Sequence, residues 1–348
     1  MISDRWSVVG SSVRLLVYYG LKANASIGVM LMAAIYLTES DVDAVADMHM
    51  ALDVVEQAFR QLSLGGAQNQ PRRRVKARGI VLHSMSAAAD YLRRVGWKQY
   101  TTTKGGARFL VGLYDADSGE LAALIEADRL GQLRTGAATG VAVKYLASEG
   151  ASDVGLIGSG WQAEAQLAAV CLVRPIRRAV VYSRDEGRRE SFVDKMSDLL
   201  NVDVTATDSA ETAVADMPLV VTATTSRVPV LDGSWLCDGV TVCATGANAL
   251  NRAEVDTATV GRAALVVCDR IDACRLEAGE LSAAADSGDF DWSAAVELAD
   301  VVAGNAVGRR EDTGIILFKS VGLAIEDVAL ASQIVDRARQ SGVGAALP

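Results

Sequence analysis

The chain has 348 residues, of which 50% are hydrophobic and 22% are charged, and this length predicts two domains rather than one. Its formal net charge of −9 argues against a nucleic acid partner, because phosphate binding requires a basic surface. The apolar stretch over residues 8–37 is interrupted by Arg14, Lys22 and Asn24, so neither a membrane span nor a signal peptide is expected. We expect residues 1–31 to be an extension that is disordered or that reflects a misassigned start codon.

The cysteines and histidines exclude several kinds of site. Five cysteines are scattered without a CxxC pair, which predicts reduced thiols in a cytoplasmic protein. The two histidines, His49 and His83, are far apart in the chain, so no metal site is expected. No GxSxG elbow supports a Ser-His-Asp hydrolase.

Residues 33–128 have the pattern of an α+β unit. A short strand at 35–37 is followed by Thr38, which forms a capping-box pattern with the acidic residue three positions later. Apolar residues at helical spacing continue that helix to a point before Gly65. A basic extended segment is expected at 71–76, and strands are expected over 80–85, 96–103, 109–114 and 121–126, the last two forming a hairpin.

From residue 130 onward, strand and helix patterns alternate, which predicts a parallel doubly wound sheet of Rossmann type. A helix over 321–340 closes the chain and is expected to return to the first domain. We therefore predict an α/β fold in which a Rossmann-type sheet is inserted in a smaller α+β domain. The expected strands are 154–157, 179–182, 202–206, 219–223, 241–244 and 264–268, with helices over 130–146, 162–172 and 186–200.

The glycine-rich segment 158–163 lies between an expected strand and an expected helix. Gly158 permits a tight turn, and Gly160 lets the backbone approach a pyrophosphate, whose charge the helix N-terminus favours. This turn predicts the binding of a nicotinamide dinucleotide. The residues expected to contact it are Gly158, Ser159, Gly160, Trp161 and Gln162, and, at a second strand end rich in small hydroxyl residues, Thr222, Ala223 and Thr224.

The end of the next strand bears on the choice between NAD and NADP. Enzymes that use NAD usually place an acidic residue there, where it binds the ribose hydroxyls. This chain has Ser183 and Arg184 instead, which suits a 2′-phosphate and favours NADP over NAD. Two alternatives stay open: Arg184 stacks on the adenine, or Asp185 turns inward to meet a ribose.

Four segments occur together and in order, namely 133–139, the turn at Gly158, 222–226 and 318–323. Their combination resembles the ornithine cyclodeaminase/μ-crystallin family over roughly residues 33–345. The resemblance implies that the protein forms a homodimer. It also implies an enzyme that moves a hydride between the Cα of an amino acid and C4 of the nicotinamide. The implied domains are a substrate-binding and dimerisation domain of residues 32–128 plus 318–348, and a Rossmann domain of residues 129–317.

The resemblance also assigns residues to the substrate and the cofactor. Arg72 and Arg134 resemble the family's carboxylate-binding arginines, and Lys98 resembles its active-site lysine. An arginine fork grips a carboxylate with two hydrogen bonds, and a desolvated lysine could bind it too or relay a proton to an imine nitrogen. Further cofactor contacts are expected from Arg134, Thr135, Gly246 and Lys319.

One residue departs from the cyclodeaminase pattern. Where those enzymes carry an Asp thought to activate water, this chain has Asn248, which cannot act as a base near neutral pH. We therefore predict an NAD(P)-dependent oxidoreductase, a ketimine or cyclic-imine reductase or an alanine-type amino acid dehydrogenase. Lys98 and Asn248 are its expected catalytic residues.

Two other functions stay open. One is an ornithine cyclodeaminase, which forms proline and ammonia and uses NAD catalytically. The other is a non-catalytic protein that binds NADPH and a ligand. For the favoured enzyme, the expected partners are a small amino or imino acid with an α-carboxylate and a second copy of the chain.

Overall fold

A computed structural model of the chain describes residues 33–310 and 314–347. The expected extension over residues 1–31 lies outside these ranges. From Ala34 onward, two β-sheets organise the described residues, and helices pack against each of them.

The first sheet is mixed. Its strands are antiparallel to their neighbours, except that β1 and β6 are parallel. The hairpin expected at 109–126 is present. Among the described residues, seven strands form it in the order β15-β1-β6-β5-β4-β3-β2, with β1 Ile35–Leu37, β2 Ala67–Ala77, β3 Ile80–Ala89, β4 Arg94–Thr103, β5 Gly106–Asp115, β6 Leu121–Glu126 and β15 Ala345–Ala346.

The helix predicted after Thr38 is two helices, α1 Glu39–Val45 and α2 Met48–Leu64. The capping box at Thr38 is present, as expected. The prediction of one continuous helix was wrong, because Ala46 has an extended backbone and the Asp47 side chain accepts a hydrogen bond from the backbone of Met50. Asp47 therefore caps a second helix.

The second sheet is parallel throughout and is doubly wound. The chain runs from β7 outward through β8 and β9, then returns to the other side of β7 with β10, so the strand order reverses beside β7. Ligands of such sheets bind at the carboxyl ends of the strands at this reversal. The order is β13-β12-β14-β11-β10-β7-β8-β9, with β7 Asp153–Ile157, β8 Arg178–Tyr182, β9 Asp203–Ala206, β10 Leu219–Thr222, β11 Thr241–Ala244, β12 Ala263–Cys268, β13 Val296–Glu297 and β14 Ile315–Lys319.

The remaining helices connect these strands or join the two sheets. The helix over Asp128–Leu146 is almost wholly buried between α2 and the helix that follows β7. Its small residues let these two neighbouring helices pack closely against it. A Cβ atom on Gly136 would lie 2.5 Å from the carbonyl oxygen of Ala165. The helices are α3 Asp128–Leu146, which is the buried one, α4 Trp161–Val173, α5 Glu186–Leu200, α6 Ala210–Val214, α7 Thr257–Arg262, α8 Ile271–Glu277, α9 Gly279–Ser287, α10 Leu298–Ala303 and α11 Ala324–Ser341.

The end of the chain differs from the prediction at the start of its last long helix. The last long helix, α11, starts at Ala324 instead of 321, because Gly322 has a φ of +82° and so ends regular backbone geometry there. The predicted domain boundary between 317 and 318 falls inside β14, which lies between β11 and β12 in the parallel sheet. The helix α11 itself packs on β3, β4 and α2. Within the described ranges, no helix has the length and apolarity that crossing a membrane demands.

Candidate active site

The turn at Gly158 has a geometry that favours glycine. Gly158 has a φ of +121°, and a Cβ atom there would lie 2.5 Å from the carbonyl oxygen of Ala223. Gly160 is the N-cap of α4 and has open space where a Cβ atom would project. No side chain caps the first N–H groups of α4, which leaves them available to a pyrophosphate. These residues fit a nicotinamide dinucleotide.

A groove of about 620 Å³ extends from this turn past the end of β8. Ser183, Arg184 and Arg188 line it, and the hydroxyls of Ser159 and Ser183 are 2.7 Å apart. Asp185 also reaches the groove, but its Oδ1 accepts a hydrogen bond of 2.9 Å from the backbone N–H of Arg188 and caps α5. A ribose contact by Asp185 would compete with that cap.

A second cavity, of about 580 Å³, continues from the groove, and Gly160, Ala223, Thr224 and Thr225 line both. It lies between the mixed sheet and the carboxyl ends of the parallel strands. The residues predicted for substrate and cofactor that line it are Arg72, Lys98, Arg134, Thr135, Trp161, Gln162, Gly246 and Asn248.

Two buried acidic residues of α11 hold two of these cations. Oδ1 of Asp327 accepts hydrogen bonds from Nζ of Lys98 at 2.7 Å and from Nε of Arg134 at 3.1 Å. Oε2 of Glu326 accepts from Nη1 of Arg134 at 2.9 Å. A Cβ atom on Gly131 would lie 3.1 Å from Nζ of Lys98, so a glycine in α3 leaves room for the ammonium group.

Burial shifts the ionisation of this cluster. Burial and the charge of Arg134 lower the pKa of Lys98 from 10.5 to about 8, although Asp327 opposes the shift. Burial also raises the pKa of Glu326 from 4.5 to about 7, despite the opposing charge of Arg134. The pKa values of Lys98, which lines the cavity, and of Glu326, which lies behind Arg134, are therefore both shifted toward neutral pH.

Arg72 is held from two sides. Its Nη1 donates to Oε2 of Glu277, and its Nη2 donates to the backbone carbonyl of Val321 at 2.9 Å. Asp269 fixes that loop, because its Oδ2 accepts hydrogen bonds from the backbone N–H groups of Val321 and Gly322 at 2.7 and 2.8 Å. The position of Arg72 thus depends on two acidic residues far away in the sequence.

One buried carboxylate joins the ends of β10 and β11 beside the cofactor groove. Oε1 of Glu254 accepts hydrogen bonds from the backbone N–H of Thr224 at 2.6 Å and from its hydroxyl at 2.8 Å. Its Oε2 accepts from the N–H of Gly246 at 2.5 Å and of Ala247 at 3.2 Å. Glu254 therefore sets the spacing of two loops that line the cavity.

A row of four side chains crosses the mixed sheet and forms one wall of the cavity. Arg74, His83, Tyr100 and Phe109 are register partners on β2, β3, β4 and β5. The rings of His83 and Tyr100 stack with centroids 4.2 Å apart, and those of Tyr100 and Phe109 with centroids 4.6 Å apart. Burial, with the charges of Arg74 and Arg72, lowers the pKa of His83 from 6.5 to about 4, so its ring is neutral near pH 7.

Comparison with known proteins decides the family. The sequence profile of the ornithine cyclodeaminase/mu-crystallin family matches residues 32–342. This chain belongs to that family. The alanine dehydrogenase of Archaeoglobus fulgidus is 32% identical over 321 residues, which are 90% of this chain and 98% of that protein.

Two solved structures of the family are also similar to this chain. The Δ1-pyrroline-2-carboxylate reductase of Thermococcus litoralis, in complex with NADH and L-proline, has a TM-score of 0.87 and 31% identity, covering 90% of this chain and all of that one. An archaeal alanine dehydrogenase dimer with bound NAD has a TM-score of 0.86 and 31% identity, covering 91% of this chain and 99% of that one.

Membership of the ornithine cyclodeaminase/mu-crystallin family confirms several predictions. The predicted fold class is confirmed by the parallel sheet and by both solved structures. The predicted enzyme class, an NAD(P)-dependent imine reductase or amino acid dehydrogenase, is confirmed at the level of the family. The residue roles and the choice between NAD and NADP stay predictions.

Two residues expected to contact the cofactor do not line the cavities. The side chain of Thr222 is fully buried, because β10 is a central strand between β11 and β7 whose residues are all buried. Lys319 is fully buried as well, and its Nζ donates to the carbonyl of Ala247 at 2.7 Å and pairs with Glu280 at 2.9 Å. Lys319 therefore holds the loop after β11 from the buried interior of the protein.

Sequence reasoning missed the acidic residues that hold the cations and the wall formed by His83 and Tyr100. For the acidic residues, the sequence of the last helix did contain a signal. Glu326 and Asp327 are adjacent carboxylates within an otherwise apolar helical run, and such a pair is buried only when cations face it. Alternate residues of a strand share one face, so Lys98 in the cavity also implied Tyr100.

Proposed function

We propose that this enzyme reduces an α-imino acid to the corresponding α-amino acid and catalyses the reverse oxidation. The observation that carries the proposal is the convergence of Arg72, Lys98 and Arg134 on one cavity that adjoins the dinucleotide turn. When bound, the nicotinamide supplies or accepts the hydride. The α-carboxylate is the one group that every such substrate shares.

The three cations suit the carboxylate because they are already oriented. Asp327 and Glu277 fix their directions, so binding does not have to order long flexible side chains. Nε of Arg72 is buried and has no hydrogen-bond partner among the described residues, which leaves it free for a ligand. Arginine presents a planar fork that matches a carboxylate.

Lys98 is our candidate for the proton donor. With a pKa of about 8, its ammonium group is largely protonated at neutral pH and gives up its proton more readily than an exposed lysine. In the reductive direction that proton goes to the imine nitrogen as the hydride reaches the carbon. In the oxidative direction the neutral amine takes the proton back.

We further propose that the enzyme prefers NADP. Ser183, Arg184 and Arg188 line the groove where a 2′-phosphate would lie, and the acidic residue beside them, Asp185, caps α5. A phosphate accepts charge-assisted hydrogen bonds from arginine. A comparison of initial rates with NADPH and NADH tests this preference.

We propose that the enzyme forms a homodimer through the mixed sheet. Exposed apolar side chains lie on its strands in register pairs, Val75 with Leu82 and Val95 with Tyr114. Such a patch is typical of an interface. Light scattering coupled to gel filtration would show one copy if the proposal is wrong.

We place the enzyme in the cytoplasm, which agrees with its five free cysteines.

The experiment that tests the main function is a substrate panel. Pyrroline-2-carboxylate, piperideine-2-carboxylate, and 2-oxo acids with ammonium would be incubated with NADPH or NADH, and absorbance at the nicotinamide band would be followed. Oxidation of the cofactor coupled to amino acid formation supports the proposal. Tight NADPH binding without turnover of any imino acid would identify the non-catalytic alternative.

A further inference from the structure

We propose that the substrate carries a second acidic group beyond its α-carboxylate, and that Arg74 binds that group at the sheet side of the cavity. This inference rests on the proposed function and names its substrate class, an imine of a 2-oxo dicarboxylic acid. It comes from the wall of the cavity that the α-carboxylate does not use.

Arg74 is placed to receive a ligand group. Its side chain is 24% exposed. Its Nη2 donates hydrogen bonds to Oε2 of Glu277 at 2.5 Å and to the backbone carbonyl of Asn248 at 2.7 Å. In the described part of the chain, no hydrogen bond engages its Nε or Nη1. The guanidinium group is thus held in place while donors remain free.

The charges that line the cavity are not balanced by the protein. Its charged lining residues are all cations: Arg72, Arg74, Lys98, Arg134 and Arg252. Three carboxylates pair with the first four of these cations. Two of the carboxylates are shared, since one oxygen of Glu277 accepts from two arginines and one oxygen of Asp327 accepts from Lys98 and Arg134. Arg252 instead donates to the backbone carbonyl of Thr225.

The five lining cations thus outnumber their ion-paired carboxylates by two. Glu326, whose pKa burial raises to about 7, is not fully ionised at neutral pH. The nearby carboxylates Glu254 and Asp269 face backbone N–H groups instead of these cations. One α-carboxylate neutralises one charge. A second anionic group neutralises the other, and an unpaired cation in a partly enclosed cavity is unfavourable.

His83 adds a neutral polar contact beside Arg74. It is 9% exposed, its Nε2 lies 3.1 Å from the hydroxyl of Thr102, and its buried Nδ1 has no partner among the described residues. A neutral imidazole can donate to or accept from a carboxyl group without adding charge. The stacked ring of Tyr100 holds His83 in this orientation.

The test compares imines formed from ammonium with oxaloacetate and 2-oxoglutarate against those from pyruvate and 2-oxobutyrate. We expect kcat/KM for the better diacid to exceed that for the monoacids by about tenfold or more. Arg74→Gln should lower this ratio by about tenfold, whereas Arg72→Gln should lower both values together. Arg73→Gln, on the exposed face of β2, is the matched control and should leave the ratio as it is.

A binding measurement separates this inference from the proposed function. With NADP present, succinate or glutarate should raise the Tm more than propionate or butyrate does, and Arg74→Gln should remove the difference. Equal shifts for diacids and monoacids, or a diacid ratio that survives Arg74→Gln, would overturn the inference. If no imine at all were turned over, the proposed function would fail, and the Tm comparison would still decide whether a diacid binds.

Discussion

Nζ of Lys98 lies 2.7 Å from Oδ1 of Asp327, and that same oxygen accepts a hydrogen bond from Arg134. A single carboxylate oxygen thus positions two of the three cations of the proposed carboxylate site. Lys98 is 2% exposed and Asp327 is fully buried, so the pair is screened from water. The ionisation of Lys98 and the stability of this region therefore depend on Asp327.

Replacing Asp327 tests this dependence. Asp327→Asn should lower the free energy of unfolding by about 3–5 kcal/mol, because the buried ammonium group of Lys98 loses its carboxylate partner and Arg134 keeps only Glu326. The carboxylate also supports the protonated form of Lys98, so its loss should move the alkaline limb of the pH–rate profile to lower pH. Asp336→Asn, at an exposed position of the same helix, should change stability by no more than about 0.5 kcal/mol. An unmoved pH profile in Asp327→Asn would show that the carboxylate does not tune Lys98.

The proposed role of Lys98 predicts a pH dependence with a definite sign. Imine reduction needs the protonated ammonium group, so kcat should fall as the pH rises through about 8. Lys98→Met should lower kcat by about 10²–10⁴-fold and should lack this limb. Lys104→Met, an exposed lysine at the tip between β4 and β5, serves as the control. Retention of the limb in Lys98→Met would assign the proton to another group.

The two glycines of the dinucleotide turn should respond differently to alanine. Gly158→Ala should reduce stability by about 1–3 kcal/mol even without cofactor, because its φ and the nearby carbonyl of Ala223 both exclude a Cβ atom. Gly160→Ala has open space in the free protein and should unfold like the parent chain. It should nevertheless bind NADPH about tenfold more weakly, since the added methyl group lies where the pyrophosphate approaches. Thermal unfolding and NADPH fluorescence titration measure both effects.

Arg184 should determine the preference for NADP. Arg184→Ser should lower the ratio of kcat/KM for NADPH to that for NADH by about tenfold to a hundredfold, the worth of a charge-assisted hydrogen bond. Arg178→Ser, at the far end of β8, removes the same charge away from the groove and should leave the ratio as it is. Equal losses for both cofactors in Arg184→Ser would indicate adenine stacking instead of phosphate binding.

Asn248 should limit the chemistry to redox turnover. The parent enzyme should form no proline from ornithine without net NADH, because the cavity is lined by no Asp or Glu within the described residues. Asn248→Asp should make ammonia and proline formation measurable without net NADH. Asn251→Asp, an exposed neighbour, is the matched control. Formation of ammonia and proline by the parent enzyme without net NADH would instead favour the cyclodeaminase.

Much of the fold could be predicted because its signals are local. The bounds expected for β6, β11 and α5 match the structure to the residue, since short apolar or β-branched runs mark the two strands and apolar residues at helical spacing mark the helix. Two differences, the break at Ala46 and the start of α11 at Ala324, occur where a side chain takes over backbone hydrogen bonds. For α11 that side chain is Asp269, which comes from a distant part of the sequence.

The sequence alone predicted the dinucleotide turn, the family and the three cations assigned to the substrate, whose roles stay predictions. These follow from residue types at short spacings, or from motifs in a set order. Only the tertiary structure decided which carboxylates face the cations, because Glu277 and Asp327 lie 205 and 229 positions from Arg72 and Lys98. Burial and Coulomb energy depend on distance in space, so the low pKa of Lys98 and the excess positive charge beside Arg74 arise only when those segments meet.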